Sequence, residues 1–539
     1  MLILIPFLTY KSEVLAKQVM KIHHFFGNTY QNIRAYYKKI IQVILIYTGV
    51  CLLDILAVKG YALITAGTVN YILTSMVIGL TYLPLTVYFL RREIKDRPEK
   101  LFLCFSLILG TLLILCLPNN TGVNWDDEVH YTRVETLANF ADEQGYAADD
   151  IVLDNYKDSA LNHRYYSESE RAALNQEVND SYAKREAGAM RTDIGVYSIA
   201  YIPYAVPMIV GKALHLPFTF LFCFAKFFNL LLYSTVVYLG MKKLKFGKIF
   251  TAVLALIPTI LFMAGNYAYD PWILSLMIYG FCYYFSFLQD REKKMTREDR
   301  FLMLGAFILG ILPKAIYFVI LFPLFFLPKT SFETKKEHHK YLFLLLLSGL
   351  FLAATFLLPL LIHGAGTGDT RGSSDVNSTL QIQYILSEPG KYASMMWNFL
   401  LMYFNLGNAR EYTLYFAYFD RGTTGTILTT AVLYLTAILD KDGQKTKTVP
   451  IMIVTALSFL CTVILVATAL YISFTPLRYF TILGCQYRYL VPLLYPLLFL
   501  LTPDRVKCRI NRFWFNSIPM LYMGIIFLIN LFPLISATY

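Results

Sequence analysis

Asn124-Trp125-Asp126-Asp127-Glu128-Val129-His130-Tyr131-Thr132-Arg133 decides how the rest of the chain is read. Three adjacent carboxylates, a histidine and an arginine follow shortly after Leu101 to Leu117, an apolar run with the length and composition of a membrane span. The chain around them keeps charge scarce. Its 539 residues are 57% hydrophobic and 16% charged, with a mean hydropathy of +0.50, which places it with polytopic membrane proteins rather than soluble ones.

The net charge of +12 does not mark a nucleic-acid binder, because the basic residues fall in short clusters between apolar runs. Such clusters are what cytoplasmic loops facing an anionic leaflet carry. Most of the eight cysteines (Cys51, Cys104, Cys116, Cys223, Cys282, Cys461) lie inside apolar runs, with no C-x-x-C pair, and read as small core residues. Met1 to Leu8 is apolar but too short for a signal-peptide core with a cleavage site, so the N-terminus is expected to be kept.

Working outward, Ile40 to Val58 and Asn70 to Leu90 are the first two spans, after a basic and aromatic segment from Lys11 to Lys39. Each must be a helix, since a single pass has to satisfy its backbone internally. Arg91 to Lys100 holds five basic residues in ten and is expected in the cytoplasm. The third span, Leu101 to Leu117, then delivers the triple carboxylate to the outer face.

Basic clusters recur at Lys242 to Lys248, Arg291 to Arg300, Lys329 to Lys340, Lys441 to Lys447 and Arg505 to Arg512. All are placed inside if Phe218 to Gly240 descends, Ile249 to Gly265 ascends, Trp272 to Leu288 descends and a hairpin of two short spans turns at Pro313-Lys314. Tyr341 to Ile362, Thr424 to Leu439, Val449 to Phe474, Tyr489 to Leu501 and Phe513 to Ile535 complete about thirteen spans. The N-terminus is then cytoplasmic and the C-terminus extracytoplasmic. Residues 196–214 are apolar enough to cross, but crossing would put the Lys242 cluster outside, so they are expected to lie at the interface or re-enter. The expected organisation is all-α: an N-terminal segment with two extra spans (1–100), a transmembrane core with outer loops 119–217 and 363–422 (101–502), and a final loop and span (503–539).

From Asn119 to Asp193 there are sixteen acidic and seven basic residues, so acid is concentrated outside. Asn124 as a helix N-cap would put Asp126 and Asp127 in a first turn, where a carboxylate gains about 0.3–1 kcal/mol from free N–H groups. Capping needs one acid. Helical spacing sets Asp127, His130 and Tyr131 on one face with Glu128 beside them, where a carboxylate can act as general base or share a divalent cation.

The pattern D-D-E-V-H-Y-T-R-V resembles a bacterial family of multi-pass membrane proteins of unassigned function. So do Tyr197 to Tyr204, Asn266-Tyr267-Ala268-Tyr269-Asp270-Pro271, Pro313-Lys314-Ala315-Ile316-Tyr317 and Gln486-Tyr487-Arg488-Tyr489-Leu490-Val491-Pro492. That family shows D-E-x-x-H, Y-D or P-D after a mid-chain span, K-x-x-Y and Q-G-R-Y. Its layout is similar to that of the GT-C glycosyltransferases, which include protein mannosyltransferases and lipid A aminoarabinose transferases. The likeness covers about residues 100–500, and Tyr487 departs from it where glycine is usual. It implies transfer of a sugar from a polyprenyl-phosphate donor to an envelope polysaccharide, teichoic acid or glycolipid on the outer face of the bacterial plasma membrane. The Asp-Glu pair of the first outer loop maps onto Asp127 and Glu128.

Such transfer needs a base for the acceptor hydroxyl and cations for the departing phosphate. Arg488, Lys314 and Arg191 are the expected phosphate ligands. Lys314 has no nearby charge in sequence, and ionisable groups at membrane depth are costly and often functional; an interfacial anchor is the plain alternative for Arg488. His130 is expected to orient its neighbours, Tyr131, Asp270, Gln486 and Tyr317 to complete the site, and Asp127, Glu128 and Asp270 to hold Mg or Mn if the enzyme uses one. Two other classes remain open: a lipid-linked sugar flippase, which would carry charge deep in several spans, and a polysaccharide polymerase relying on Arg371, Arg410 and Arg421.

Overall fold

The structure is a computed structural model that describes residues 37–65, 67–140, 142, 144–156, 167–363, 375–444 and 447–538. Met1 to Leu8, the basic segment up to residue 36, and Gly364 to Asp369 with Arg371 lie outside the described residues. Two compact units are separated at Asn70/Tyr71. The first contains α1 (Tyr37–Ile64), a 28-residue helix whose Leu45, Leu52, Leu53 and Leu56 are exposed.

The second unit begins with α2 (Tyr71–Leu90) and α3 (Glu99–Cys116). It continues through four helices outside the long apolar spans: α4 (Asp127–Asn139), α5 (Ala147–Tyr156), α6 (Glu168–Ala183) and α7 (Ile202–Ala213). Ser167 caps α6, accepting from the Glu170 N–H while the Glu170 carboxylate accepts from the Ser167 N–H. A two-stranded ladder pairs β1 (Gly145–Tyr146) with β2 (Ala187–Gly188). A Cβ on Gly145 would lie 2.1 Å from the Ala189 carbonyl oxygen, so this approach requires glycine. Tyr131, Tyr156, Tyr204, Phe222 and Tyr267 fuse these helices to the bundle in one buried aromatic cluster.

The bundle resumes with α8 (Phe218–Met241), α9 (Lys248–Ala255) and α10 (Pro258–Ala264). The span expected over Ile249 to Gly265 is thus two short helices. Pro258 supplies no N–H, and Ile257 before it is extended (φ −49°, ψ 126°), as a pre-proline residue prefers. After α11 (Asp270–Gln289), α12 (Arg297–Ile311) runs into a 3-10 segment, Leu312–Phe326, broken at Lys314 (φ −137°, ψ 62°). The Met295 N–H donates to the Ser331 carbonyl at 2.7 Å, and Trp272 and Tyr284 of α11 reach the Leu309 and Pro323 carbonyls. The two halves therefore fold back as a hairpin that turns at Lys314.

The chain ends with α13 (Lys335–His363), α14 (Ser378–Ser387), α15 (Pro389–Tyr403), α16 (Ala409–Thr413), α17 (Thr426–Leu439), α18 (Val449–Ser473), α19 (Val491–Leu501) and α20 (Arg512–Thr538). Among the described residues nine helical stretches are long and apolar enough to cross a bilayer, one of them being the whole hairpin. The 14-residue α17 spans only about 21 Å, short of a hydrocarbon core of about 30 Å. Residues 196–213 form a 3-10 turn and α7, and Ile202, Val206, Ile209 and Val210 leave one apolar stripe of α7 exposed, the pattern of an interfacial helix.

At the end opposite the acidic stretch, Asp440 accepts the N–H groups of Ile249 and Phe250 (2.6 and 3.1 Å), closing the first turn of α9. Asp440→Ala strands both buried donors and is expected to cost about 1–3 kcal/mol, read as a lowered melting temperature in detergent. Asp440→Asn, which keeps an acceptor, is expected to lose less.

Candidate functional site

Asp126, Asp270, Lys314 and Arg488 each sit where a helix begins or breaks. Asp126 precedes α4 and Asp270 opens α11, while Lys314 is the turn of the hairpin and Arg488 lies in the 3-10 turn before α19. At such positions the backbone leaves N–H and C=O groups unused, and the free N–H groups at the starts of α4 and α11 favour the acids Asp126 and Asp270. Asp126 adopts a left-handed backbone (φ 55°), which a side chain other than glycine takes up at some cost.

Arg488 organises the cluster. Its side chain is 2% exposed, with one guanidinium nitrogen 3.5 Å from Asp126 Oδ2 and another 3.5 Å from Asp270 Oδ2. Its Cζ stands 4.6 Å from the Trp125 ring centroid and 5.5 Å from that of Tyr489. Lys314 approaches the same tyrosine, its Nζ 3.0 Å from the ring centroid and buried, with no hydrogen bond among the described residues. Tyr317 holds this arrangement by donating to the Tyr489 carbonyl (3.1 Å). A 200 Å³ pocket opens beside Arg488, walled by Trp125, Tyr415, Gln486 and Tyr487. Gln486 offers a buried side-chain oxygen without a donor, and its carbonyl accepts from Tyr403. Tyr487 stacks on Tyr403 at 4.6 Å.

The helical face of α4 exists, but it looks into packed protein. Asp127 is 1% exposed; its Oδ2 accepts the N–H groups of Val123 and Asn124 at 2.7 Å each. It clamps the turn that presents Asp126, and does not itself meet Arg488. The expected face of α4 therefore does not bring Asp127 to Arg488, and the plain alternative, Asn124 as helix cap, does not hold either: the Asn124 amide donates to the Tyr267 carbonyl. Burial pushes the Asp127 carboxyl up to about 7, against the Lys226 ammonium and the two N–H groups. His130 bonds the Tyr201 hydroxyl at 2.7 Å and meets Tyr269 edge-on. Tyr131 donates to Asp149 (2.7 Å) and stacks on Tyr156.

Glu128 lies towards Tyr418, whose phenol is pushed up to about 12 by burial and by the nearby Glu128 and Asp126. Arg191 is elsewhere: it pairs with Asp150 (2.7 Å) and Glu135 (3.3 Å) at the far end of α4, so the expected third phosphate ligand does not join the cluster. Nor do Asp127, Glu128 and Asp270 converge on a cation. Asp127 is taken by backbone donors and Asp270 by Arg488, and among the described residues no group of three or more His, Cys, Asp or Glu side chains could hold a metal.

Sequence reasoning passed over Lys226, a 2% exposed lysine in α8 that lies near Asp127. Its signal was present, a lone cation inside an apolar run. Asp126 and the aromatic walls Trp125, Tyr415 and Tyr489 come from three distant parts of the chain, and no local pattern joins them.

Fold and site together define a predominantly helical membrane protein with several candidate spans and a polar cluster at one end of the bundle. Residues 107–497 match the family described as Predicted membrane protein (DUF2142), and the chain belongs to that family. No curated protein and no solved structure matches it.

A carboxyl raised on folding releases its proton later in the native state, so native stability falls as pH rises from about 4 to about 7. The full span is at most about 4 kcal/mol. Asp127→Asn is expected to remove this slope, whatever constant offset follows from leaving Lys226 without its acid. Melting temperatures of both proteins across this range check it, and parallel profiles would contradict it.

Proposed function

We propose that this protein is a membrane glycosyltransferase of the GT-C type, moving a sugar from a polyprenyl-phosphate donor to an envelope polysaccharide, teichoic acid or glycolipid. The observation that carries this reading is the buried Arg488 guanidinium set between Asp126 and Asp270, with the Lys314 ammonium against the ring of Tyr489. Two cations at the end of several apolar helices suit a lipid-linked phosphate, and a neighbouring carboxylate suits a hydroxyl acceptor.

In this proposal Arg488 and Lys314 bind the donor phosphate. The acceptor hydroxyl oxygen forms a bond to the anomeric carbon as the bond from that carbon to the phosphate oxygen breaks. The bonding pair leaves with the phosphate, whose negative charge the two cations balance. The hydroxyl proton passes to Asp126, the acid whose side chain is 40% exposed beside Arg488, and Asp127 is its positioning residue. Counted back from His130, a D-E-x-x-H spacing also falls on Asp126 and Asp127. No step is routed through a metal.

The proposed topology has thirteen spans, counting α9 with α10 as one broken span and the hairpin as two. The N-terminus is cytoplasmic, and Asp126 lies on the outer face of a bacterial plasma membrane. A flippase for lipid-linked sugar is the second reading, supported by Lys226 being buried inside α8.

Envelope glycans from cells with and without the gene, followed by transfer assays with polyprenyl-phosphate sugars, test the assignment. Asp126→Asn and Arg488→Ala are each expected to lower transfer by about 100-fold or more with membrane levels unchanged. Wild-type transfer by Asp126→Asn would overturn it. Movement of donor lipid across liposomes without transfer would favour the flippase.

A further inference from the structure

A cleft of about 590 Å³ lies at the other end of α4, outside the charge cluster. Its size falls in the range of about 300–1,000 Å³ typical of small-molecule sites. From Asp126 to Ala138, which lines the cleft, the helix rises about 18 Å, so the two sites share a wall but no side chain.

Three elements build it: Tyr146 of β1, the end of α6 with Asp180, Tyr182 and Arg185, and the end of α7 with Lys212 and His215. The rings of Tyr146 and Tyr182 have centroids 6.2 Å apart and are both held from behind. Tyr146 donates to Asp142 (3.0 Å) and carries the Lys212 ammonium 4.6 Å from its centroid, while Tyr182 meets Phe218 edge-on. Arg185 and His215 close α6 and α7 with left-handed backbones (φ 54° each), the Glu186 and Leu216 N–H groups donating back to the Ser181 and Gly211 carbonyls, so each helix end is fixed at the cleft.

The lining is mixed in sign, with Arg185, Lys212 and His215 facing Asp142 and Asp180. An anionic headgroup would meet two carboxylates here. A neutral polyhydroxylated ligand escapes that repulsion, since each of its hydroxyls can donate to an aspartate and accept from a cation. Tyrosine rings together with Ile209 and Leu216 suit the C–H faces of sugar rings. We infer that this cleft is a carbohydrate-binding site that takes a neutral oligosaccharide, remote from the Arg488 cluster. The inference goes beyond the transferase proposal and does not need it, because the cleft is read by binding alone.

The test uses the full-length protein in nanodiscs on an array of neutral and anionic oligosaccharides, with phosphatidylglycerol vesicles and inorganic phosphate as competitors. Binding to neutral glycans is expected. Tyr182→Ala and Asp180→Asn should each weaken it by about tenfold, while Tyr182→Phe, which keeps the ring, and Asp126→Asn, in the other site, leave it unchanged. Melting temperatures confirm that each variant is folded. No binding to any neutral glycan, equal binding by folded Tyr182→Ala and Asp180→Asn, or displacement by the vesicles or phosphate would overturn the inference. Loss of binding in Asp126→Asn alone would relocate the glycan to the Arg488 cluster.

Discussion

A guanidinium buried among apolar helices is the constraint on which the polar end of the bundle depends. Arg488 cannot be neutralised, and leaving its charge without partners in a low-dielectric interior would cost several kcal/mol. It is answered by Asp126 and Asp270, acids that begin two different helices, and by the faces of Trp125 and Tyr489. The contacts to Asp126, Asp270 and Trp125 each cross from one part of the chain to another. The charge therefore pins α4, α11 and α19 to a common point at the end of the bundle.

Asp127 and Lys226 form the layer behind it. The Asp127 carboxylate gathers two N–H groups of its own turn, and Lys226, on α8, lies within electrostatic reach of it. That turn places the neighbouring Asp126 in a left-handed conformation with its side chain towards Arg488. Two adjacent aspartates thus have opposite roles, one spent on backbone geometry and one presented to the polar cluster. Farther along α4, Arg191 pairs with Asp150 and Glu135 while Asn139 donates to both Glu135 and Asp149.

Much of the architecture was legible in the sequence. Apolar runs located α2, α3, α8 and α11 to within a few residues, because a helix in a bilayer must be long, apolar and internally bonded. The hairpin at Pro313-Lys314 was legible from two short runs around a proline. The break between α9 and α10 was missed because run length outweighed Pro258, whose missing N–H opened the chain. At the site, Arg488, Lys314 and Asp270 were found as charges at the ends of apolar runs. Arg191 was assigned to them wrongly, since nothing local tells which acid a surface arginine will meet.

By itself, the sequence determined that the chain is a helical membrane protein and that its rare charges gather at helix ends. Hydrophobicity and the cost of burying charge act residue by residue, so both can be read locally. Only the tertiary structure decided which charges meet. The choice between Asp126 and Asp127 turns on the backbone angles of one turn and on Lys226 lying about a hundred residues away, a distance no helical period spans.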